Sequence, residues 1–365
     1  MKALITGTSG CDKDRYLEEV ADLAFQQGRQ LNILHVGDMM SQVSGEVGYE
    51  ITKETVLDIE DSRQMSLRMS AYERIASAIE KQPEIDYMIN THFSFLWRGR
   101  LITAPTSQVV DRLSPDIFVT IVDNAHTVRK RLQADPQWSR EGLSLKDILM
   151  WREQEIAYTR NEATRLKKPH YVIARRHPAS TLLDLVLKRD VKKIYLSYPM
   201  TYMGVQGFAE VKKIAEELRK HFVVFDPSTI TESSLEGDLR RVVLEAEREG
   251  KPTPEKVLIR DYDKSQEIPA QEIEDALTNI RGQTVTRDYS LIDQSDMVVI
   301  LMTRNVMSVG VICEMVYGDT HGKAVYVVSP LFHRKPSPFM SYHADEIFET
   351  TDELLRHLES KHVRN

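Results

Sequence analysis

The chain has 365 residues, 41% hydrophobic and 28% charged, with 16 Gly and 14 Pro spread along it. That mixture excludes a disordered, collagen-like or low-complexity protein, and the length suits two compact units. Acidic residues outnumber basic ones by 55 to 48, for a formal charge of −7, so no general pull toward nucleic acid or an anionic membrane is expected.

Cys11 and Cys313 are the only cysteines. Two are too few for a disulfide scaffold, and the expected compartment is a reducing cytoplasm. The opening apolar run breaks at Gly7 and lacks the core of a secretion signal. The longest apolar stretches, such as Met297 to Met302, fall well short of a membrane span. The histidines show no zinc-like pairing with cysteine and there is no HExxH, so a metal held by protein ligands alone is not expected.

Strand-like runs at Lys2 to Ile5, Leu31 to His35, Tyr87 to Asn90, Ile117 to Val122 and Tyr171 to Ala174 alternate with helical stretches such as Arg15 to Gln27 and Ala179 to Leu187. A second series follows, with strands at Lys193 to Ser197, Val223 to Asp226, Met297 to Met302 and Ala324 to Ser329, and an amphipathic helix over Gly207 to His221. Such alternation predicts an α/β protein with two parallel sheets, each covered by helices on both faces. The boundary is expected near Asp190, giving domains at 1–190 and 191–365. Between about residues 227 and 285 the pattern turns charged and helical, punctuated by Pro252, Pro254 and Pro269. This stretch reads as an insertion over the second domain, in the manner of a lid.

Lys2 to Thr6 followed by Gly7-Thr-Ser-Gly-Cys-Asp-Lys13-Asp14 has the strand, turn and helix context of a P-loop, where backbone N–H groups cradle phosphates and the lysine neutralises charge. Gly7 and Lys13 are correctly spaced, but Asp12 and Asp14 stand where a glycine and a hydroxyl residue are usual. Both are expected to set carboxylates against phosphate. Two like charges 4 Å apart repel by roughly 4 kcal/mol at an effective dielectric of 20. With His35-Val-Gly-Asp-Met-Met40, Ile89-Asn-Thr-His92, Leu113-Ser-Pro-Asp116 and Arg129-Lys-Arg131, the first half resembles the archaeal-type adenylate kinase family. That resemblance implies a P-loop kinase-like parallel sheet with ATP as ligand. Gly7, Thr8, Ser9, Gly10, Lys13 and the lid residue Arg140 form the nucleotide-binding set. It also marks Asn90 and Trp138 as departures, at an acidic and an arginine position. With four working positions changed, little phosphoryl transfer is expected.

In the second half, Ile194-Tyr-Leu-Ser-Tyr-Pro-Met-Thr201 runs from a strand into a polar loop. Thr286-Arg-Asp288-Tyr289, Asp293-Gln-Ser-Asp296 and Ser308-Val-Gly310-Val-Ile-Cys-Glu314-Met-Val-Tyr-Gly318 follow. Open α/β sheets bind ligands at the carboxyl ends of their strands. A helix starting near Gly310 would set Glu314 at that crevice, Gly310 would allow a tight turn, and Gly318 would allow close helix packing. These segments resemble the nucleoside 2-deoxyribosyltransferase-like family, which implies a second Rossmann-like, doubly wound sheet. The resemblance makes Glu314 the nucleophile at the anomeric carbon and Asp288 its acid or ribose-binding partner. Asp296 is expected to fix a loop. Ser308 stands where transferases acting on free nucleosides carry an acidic residue, and resembles the branch that hydrolyses nucleoside 5′-monophosphates. Tyr195, Ser197, Tyr202, Ser308 and Gly310 are the candidate substrate-binding residues.

The expected protein is an N-glycosidase acting on a (deoxy)nucleoside 5′-monophosphate, by hydrolysis or transfer, with no cofactor required for glycosidic cleavage. Its partners are a small-molecule nucleotide and further copies of the chain. The alternatives are an active nucleoside monophosphate kinase with an appended base-handling domain, and a nucleotide sensor gating an NAD glycohydrolase-like effector.

Overall fold

A computed structural model describes residues 1–200, 203–230, 232–259, 265–302 and 308–363. In chain order the strands are β1 (Lys2–Thr6), β2 (Leu31–His35), β3 (Asp86–Asn90), β4 (Ser94–Trp97), β5 (Arg100–Thr103), β6 (Ile117–Val122), β7 (His170–Ala174), β8 (Lys193–Ser197), β9 (Val223–Phe225), β10 (Lys256–Ile259), β11 (Gln266–Pro269), β12 (Met297–Leu301), β13 (Ala324–Val328) and β14 (Glu346–Phe348). The principal helices are α1 (Lys13–Gln26), α2 (Val36–Glu46), α3 (Asp61–Lys81), α4 (Ser107–Leu113), α5 (Ala125–Ala134), α6 (Leu145–Arg165), α7 (Ala179–Leu187), α8 (Gly204–Leu218), α9 (Ser233–Glu249), α10 (Ala270–Asp293), α11 (Val309–Thr320), α12 (Pro338–His343) and α13 (Thr351–Leu358). The chain divides into two compact units, Met1–Ala179 with Ile230–Thr284, and Ser180–Thr229 with Val285–Asn365.

The first unit is built on a parallel sheet in the order β2-β3-β1-β6-β7. All six residues of β6 are buried, as expected of a strand covered on both faces. Helix α3 buries Leu67, Ala71, Tyr72, Ile75, Ala76 and Ile79 along one stripe in the core with Ile89 and Phe118. Steps of three and four residues keep them on one side of the helix. The β4–β5 and β10–β11 hairpins, both antiparallel, are absent from the expected elements because each is only four residues a side.

The segment expected as a lid over the second domain is part of the first unit instead. Glu232, 1% exposed, accepts from the Ala125 N–H at 3.1 Å and pairs with Arg152 at 2.7 Å. Glu272 accepts from the Leu145 N–H at 2.9 Å and pairs with Arg129 at 2.9 Å. Both carboxylates therefore meet the first residue of a helix, α5 or α6, where the macrodipole favours negative charge. The boundary moves as well. From Ser180 onward, α7 belongs to the second unit, whereas the sequence places it at the close of the first.

The second unit carries a five-stranded parallel sheet in the order β14-β13-β12-β8-β9. In order of appearance that is 5-4-3-1-2, the doubly wound arrangement whose strand order reverses between β8 and β12. Gly318 packs α11 onto this sheet. A Cβ there would lie 2.8 Å from Cγ2 of Val298, so only glycine fits. Gly310 has no such constraint and lacks the positive φ of a tight turn. It is the second residue of α11, and a Cβ would meet only the Ser308 hydroxyl at 3.7 Å. The turn expected there is replaced by helix.

Candidate functional site

In the second unit, the side chains converge at the carboxyl ends of β8 and β12, on the two sides of the strand-order reversal. Tyr195 and Ser197 lie two residues apart on β8, so they project from the same face of the sheet. Both are fully buried. The Ser197 hydroxyl donates to Oε2 of Glu314 at 2.5 Å, placing α11's carboxylate over the end of β8. Burial pushes the Glu314 pKa up to about 7, and the charge of Asp288 adds to the rise against the lowering hydrogen bond from Ser197. The Tyr195 hydroxyl is buried beside this carboxylate with no well-aligned hydrogen-bond partner among the described residues. Burial, and then the Glu314 charge, hold it in its neutral form.

Asp288 sits inside α10, 8% exposed. Arg287 reaches Oδ1 of Asp288 with Nε at 3.0 Å and Nη2 at 2.9 Å, leaving Oδ2 for another partner. Burial raises the Asp288 pKa while Arg287 opposes the rise. A buried carboxyl with a raised pKa and one tethered oxygen keeps its proton to higher pH than an exposed aspartate does. Arg287 is missing from the expected site residues, although its place beside Asp288 in Thr286-Arg-Asp288 is the available signal. Asp296 ties down the start of β8, accepting from the Lys193 N–H at 2.8 Å and pairing with its Nζ at 3.2 Å. Ser308 is the N-cap of α11, and its hydroxyl makes no capping bond. Tyr202 lies outside the described residues.

In the first unit, Thr8, Ser9, Gly10 and Lys13 line a cavity of about 450 Å³ with His35, Asp38, Arg68, His92, Phe95, Arg131 and Trp138 among its other walls. Gly7 is required by close approach, since a Cβ would stand 2.5 Å from the Ile121 carbonyl oxygen. The loop keeps its shape but its lysine is engaged. Lys13 Nζ, 4% exposed as a residue, donates to Asn90 Oδ1 at 2.5 Å and to the Thr91 carbonyl at 2.6 Å. Burial pulls its pKa down. His92 Nδ1 lies 2.5 Å from the Gly7 carbonyl, so the proton belongs on Nδ1 and Nε2 is the acceptor facing Lys13 at 3.5 Å. Burial and the lysine charge push the His92 pKa down to about 3.

Asp12 does not project its charge freely at the loop. Its backbone is left-handed, with φ 63°, the conformation that the usual glycine supplies. Its carboxylate pairs with Arg175 at 3.0 Å. Asp14 accepts from Asn90 Nδ2 at 2.5 Å. Trp138 is a core residue, its ring centroid 5.2 Å from Trp97 and 5.1 Å from Trp151. Arg140 is exposed and outside the cavity lining. Glu155 is absent from the expected residues yet organises the loop base, accepting from the N–H groups of Gly7 at 3.2 Å and Phe93 at 2.8 Å and from Ser94 Oγ at 2.6 Å. Burial raises its pKa to about 6. It sits mid-helix in α6, 148 positions from the glycine it holds, which no local pattern reveals.

Comparison with known proteins finds a match to a family model described as an AAA domain over residues 6–148. Among solved structures, a 2-deoxyribosyltransferase from the psychrotolerant bacterium Bacillus psychrosaccharolyticus is similar at 17% identity. The match covers 45% of this chain and 90% of that chain, with a TM-score of 0.28. Shikimate kinase from Bacteroides thetaiotaomicron is similar at 11% identity, covering 52% of this chain and 97% of that chain, with a TM-score of 0.32. No helix among the described residues is long and apolar enough to cross a membrane. The strand, loop and helix from Lys2 through Lys13 into α1 overlap the start of the matched residues 6–148.

Proposed function

We propose that the second unit is an N-glycosidase that cleaves the base–sugar bond of a nucleoside 5′-monophosphate. The observation that carries this reading is the Glu314 carboxylate, buried at the strand-order reversal and oriented by Ser197 at 2.5 Å. In its ionised form Glu314 attacks C1′ as the bond to the base breaks. Asp288 gives the departing base a proton through the oxygen that Arg287 leaves free. Water, or another acceptor, then displaces the sugar from Glu314, with Asp288 taking up the proton. Ser308, whose hydroxyl makes no capping bond at the start of α11, suits the phosphate by donating a hydrogen bond where a carboxylate would repel it. Gly310 leaves the first helical turn open, and Tyr202 is proposed to complete the sugar contacts.

The test is chromatographic detection of free base from a panel of ribo- and deoxyribonucleotides, free nucleosides and NAD, with wild type and Glu314→Gln. Release by wild type and its loss in the variant are expected. Equal release by both overturns the assignment. A kinase reading for the first unit has the family match over residues 6–148 in its favour. With Lys13 tied to Asn90 and Thr91, the expected outcome of a coupled assay with ATP and AMP is nonetheless no ADP formation above background. Steady ADP production would make the kinase reading correct.

A further inference from the structure

In the second unit, three rings form a column between α10 and α11. Tyr289 and Tyr317 stack with ring centroids 4.0 Å apart and planes 3° from parallel. His321 stacks on Tyr317 at 3.8 Å and 21°, and two rings so close to one plane must cover its opposite faces. The column begins beside the two carboxyl groups of the site. Tyr289 directly follows Asp288 on α10, and Tyr317 lies three residues beyond Glu314 on the same side of α11. The Tyr317 hydroxyl also donates to Asp293 Oδ1 at 3.1 Å and Oδ2 at 3.2 Å. Lys323 Nζ, just past α11, donates to the carbonyls of Asp293 and Ser295, each at 2.7 Å, where the end of α10 favours a cation. The last turns of α10 are therefore gripped from α11 by ring contact and by hydrogen bonds.

Glu314 has its own anchors. Gly318 seats α11 against Val298 of the sheet, and Ser197 of β8 orients the carboxylate. The place of Asp288 relative to Glu314 depends instead on how α10 lies against α11. We infer that Tyr317 is a positioning residue for the acid and the nucleophile, setting the separation of Asp288 and Glu314 by stacking on Tyr289, an assignment that rests on the glycosidase reading of this site. Glycosidic cleavage needs that separation fixed, because one carboxyl must reach the anomeric carbon while the other reaches the departing atom. A misplacement of about 1 Å lowers the rate by up to about a hundredfold. The same separation acts through charge. The titratable and charged groups facing Glu314 are Asp288 and Arg287 from α10 and Tyr195 from β8. Asp288 raises the Glu314 pKa by more than Arg287 lowers it, and burial raises it most. Loosening α10 from α11 weakens both raising effects, so Glu314 then ionises at lower pH.

Two substitutions in the full chain separate the ring from its hydroxyl. Tyr317→Phe keeps the stack and gives up only the bond to Asp293, whereas Tyr317→Leu removes the stack. Tyr289→Leu breaks the same stack from α10 and should reproduce Tyr317→Leu. With the nucleotide that wild type cleaves fastest, Tyr317→Leu should lower kcat for base release by about 10- to 100-fold. Its KM should stay within about threefold of wild type, because the first turn of α11 keeps its place on the sheet. Tyr317→Phe should keep kcat within about threefold of wild type, since the ring contact is intact. The acid limb of kcat/KM should move to lower pH in Tyr317→Leu and stay in place in Tyr317→Phe. A second measurement needs no turnover: the melting difference between Glu314→Gln and its parent, followed with pH in the wild-type and Tyr317→Leu chains. In Tyr317→Leu that difference should grow less with pH and level off at lower pH. Unchanged kcat in both leucine variants, an equal loss in Tyr317→Phe, or the same melting series in both chains would overturn the proposal. If wild type releases no base, the glycosidase reading fails, and the melting series alone decides whether the column sets the distance between the two carboxyl groups.

Discussion

The Ser197 hydroxyl orients Glu314, and burial makes its ionisation dependent on pH in the neutral range. Its pKa of about 7, against an ordinary value of 4.5, means the folded protein holds that proton more tightly than the unfolded chain does. The stabilisation is fully present below about pH 4.5 and is lost as pH rises through about 7. Glu314→Gln escapes that loss, so its melting temperature relative to wild type should rise between pH 5 and pH 8, by the equivalent of roughly 2 kcal/mol. Differential scanning calorimetry across that range checks the sign; a constant difference would mean that the carboxyl titrates normally. Because nucleophilic attack needs the carboxylate, kcat/KM for base release should climb tenfold per pH unit on the acid side and level off near pH 7. A plateau already reached at pH 5 would contradict the burial argument.

Helices α11 and α10 show how one element carries both packing and chemistry. Gly318→Ala drives a Cβ to 2.8 Å from Val298 and should cost about 1–3 kcal/mol in urea denaturation. Gly310→Ala, on the exposed first turn of the same helix, should be neutral or stabilising by up to about 1 kcal/mol. A similar loss in both variants would refute the close contact at Gly318. In α10 the residues from Ala270 to Thr284 count with the first unit and those from Val285 onward with the second. The ion pair at the start of α9 is open to the same kind of test. Glu232→Ala strands Arg152, which is 6% exposed, and should destabilise the first unit by about 3 kcal/mol or more. Tryptophan fluorescence on denaturation isolates that unit. A change below about 1 kcal/mol would show that Arg152 finds another partner.

For the whole molecule, the first unit is discontinuous in sequence, so the fragment 1–190 should not fold stably. It would expose the Arg152 cation and leave the Ala125 and Leu145 N–H groups without their carboxylates. Circular dichroism and melting of that fragment beside the full chain test this; a cooperative transition at the parent temperature would show the returning segment to be dispensable. Nine expected strands, from Lys2 to Ile5 through Ala324 to Ser329, coincide with strands of the two parallel sheets, because a strand buried on both faces writes itself as an apolar run bounded by turn residues. The phosphate loop and Glu314 are legible for a related reason: their spacing is local to one strand–turn–helix unit. What the partners of those residues are is not local. Asp12 meets Arg175, Lys13 meets Asn90, Gly7 meets Glu155 and Glu314 meets Ser197 across 77 to 163 positions, and the charged stretch after Pro227 carries no mark of which unit it will join. Local periodicity determined the elements; ion pairing and burial between distant segments, which only the folded chain brings together, decided the ownership of the insertion and the occupation of the loop lysine.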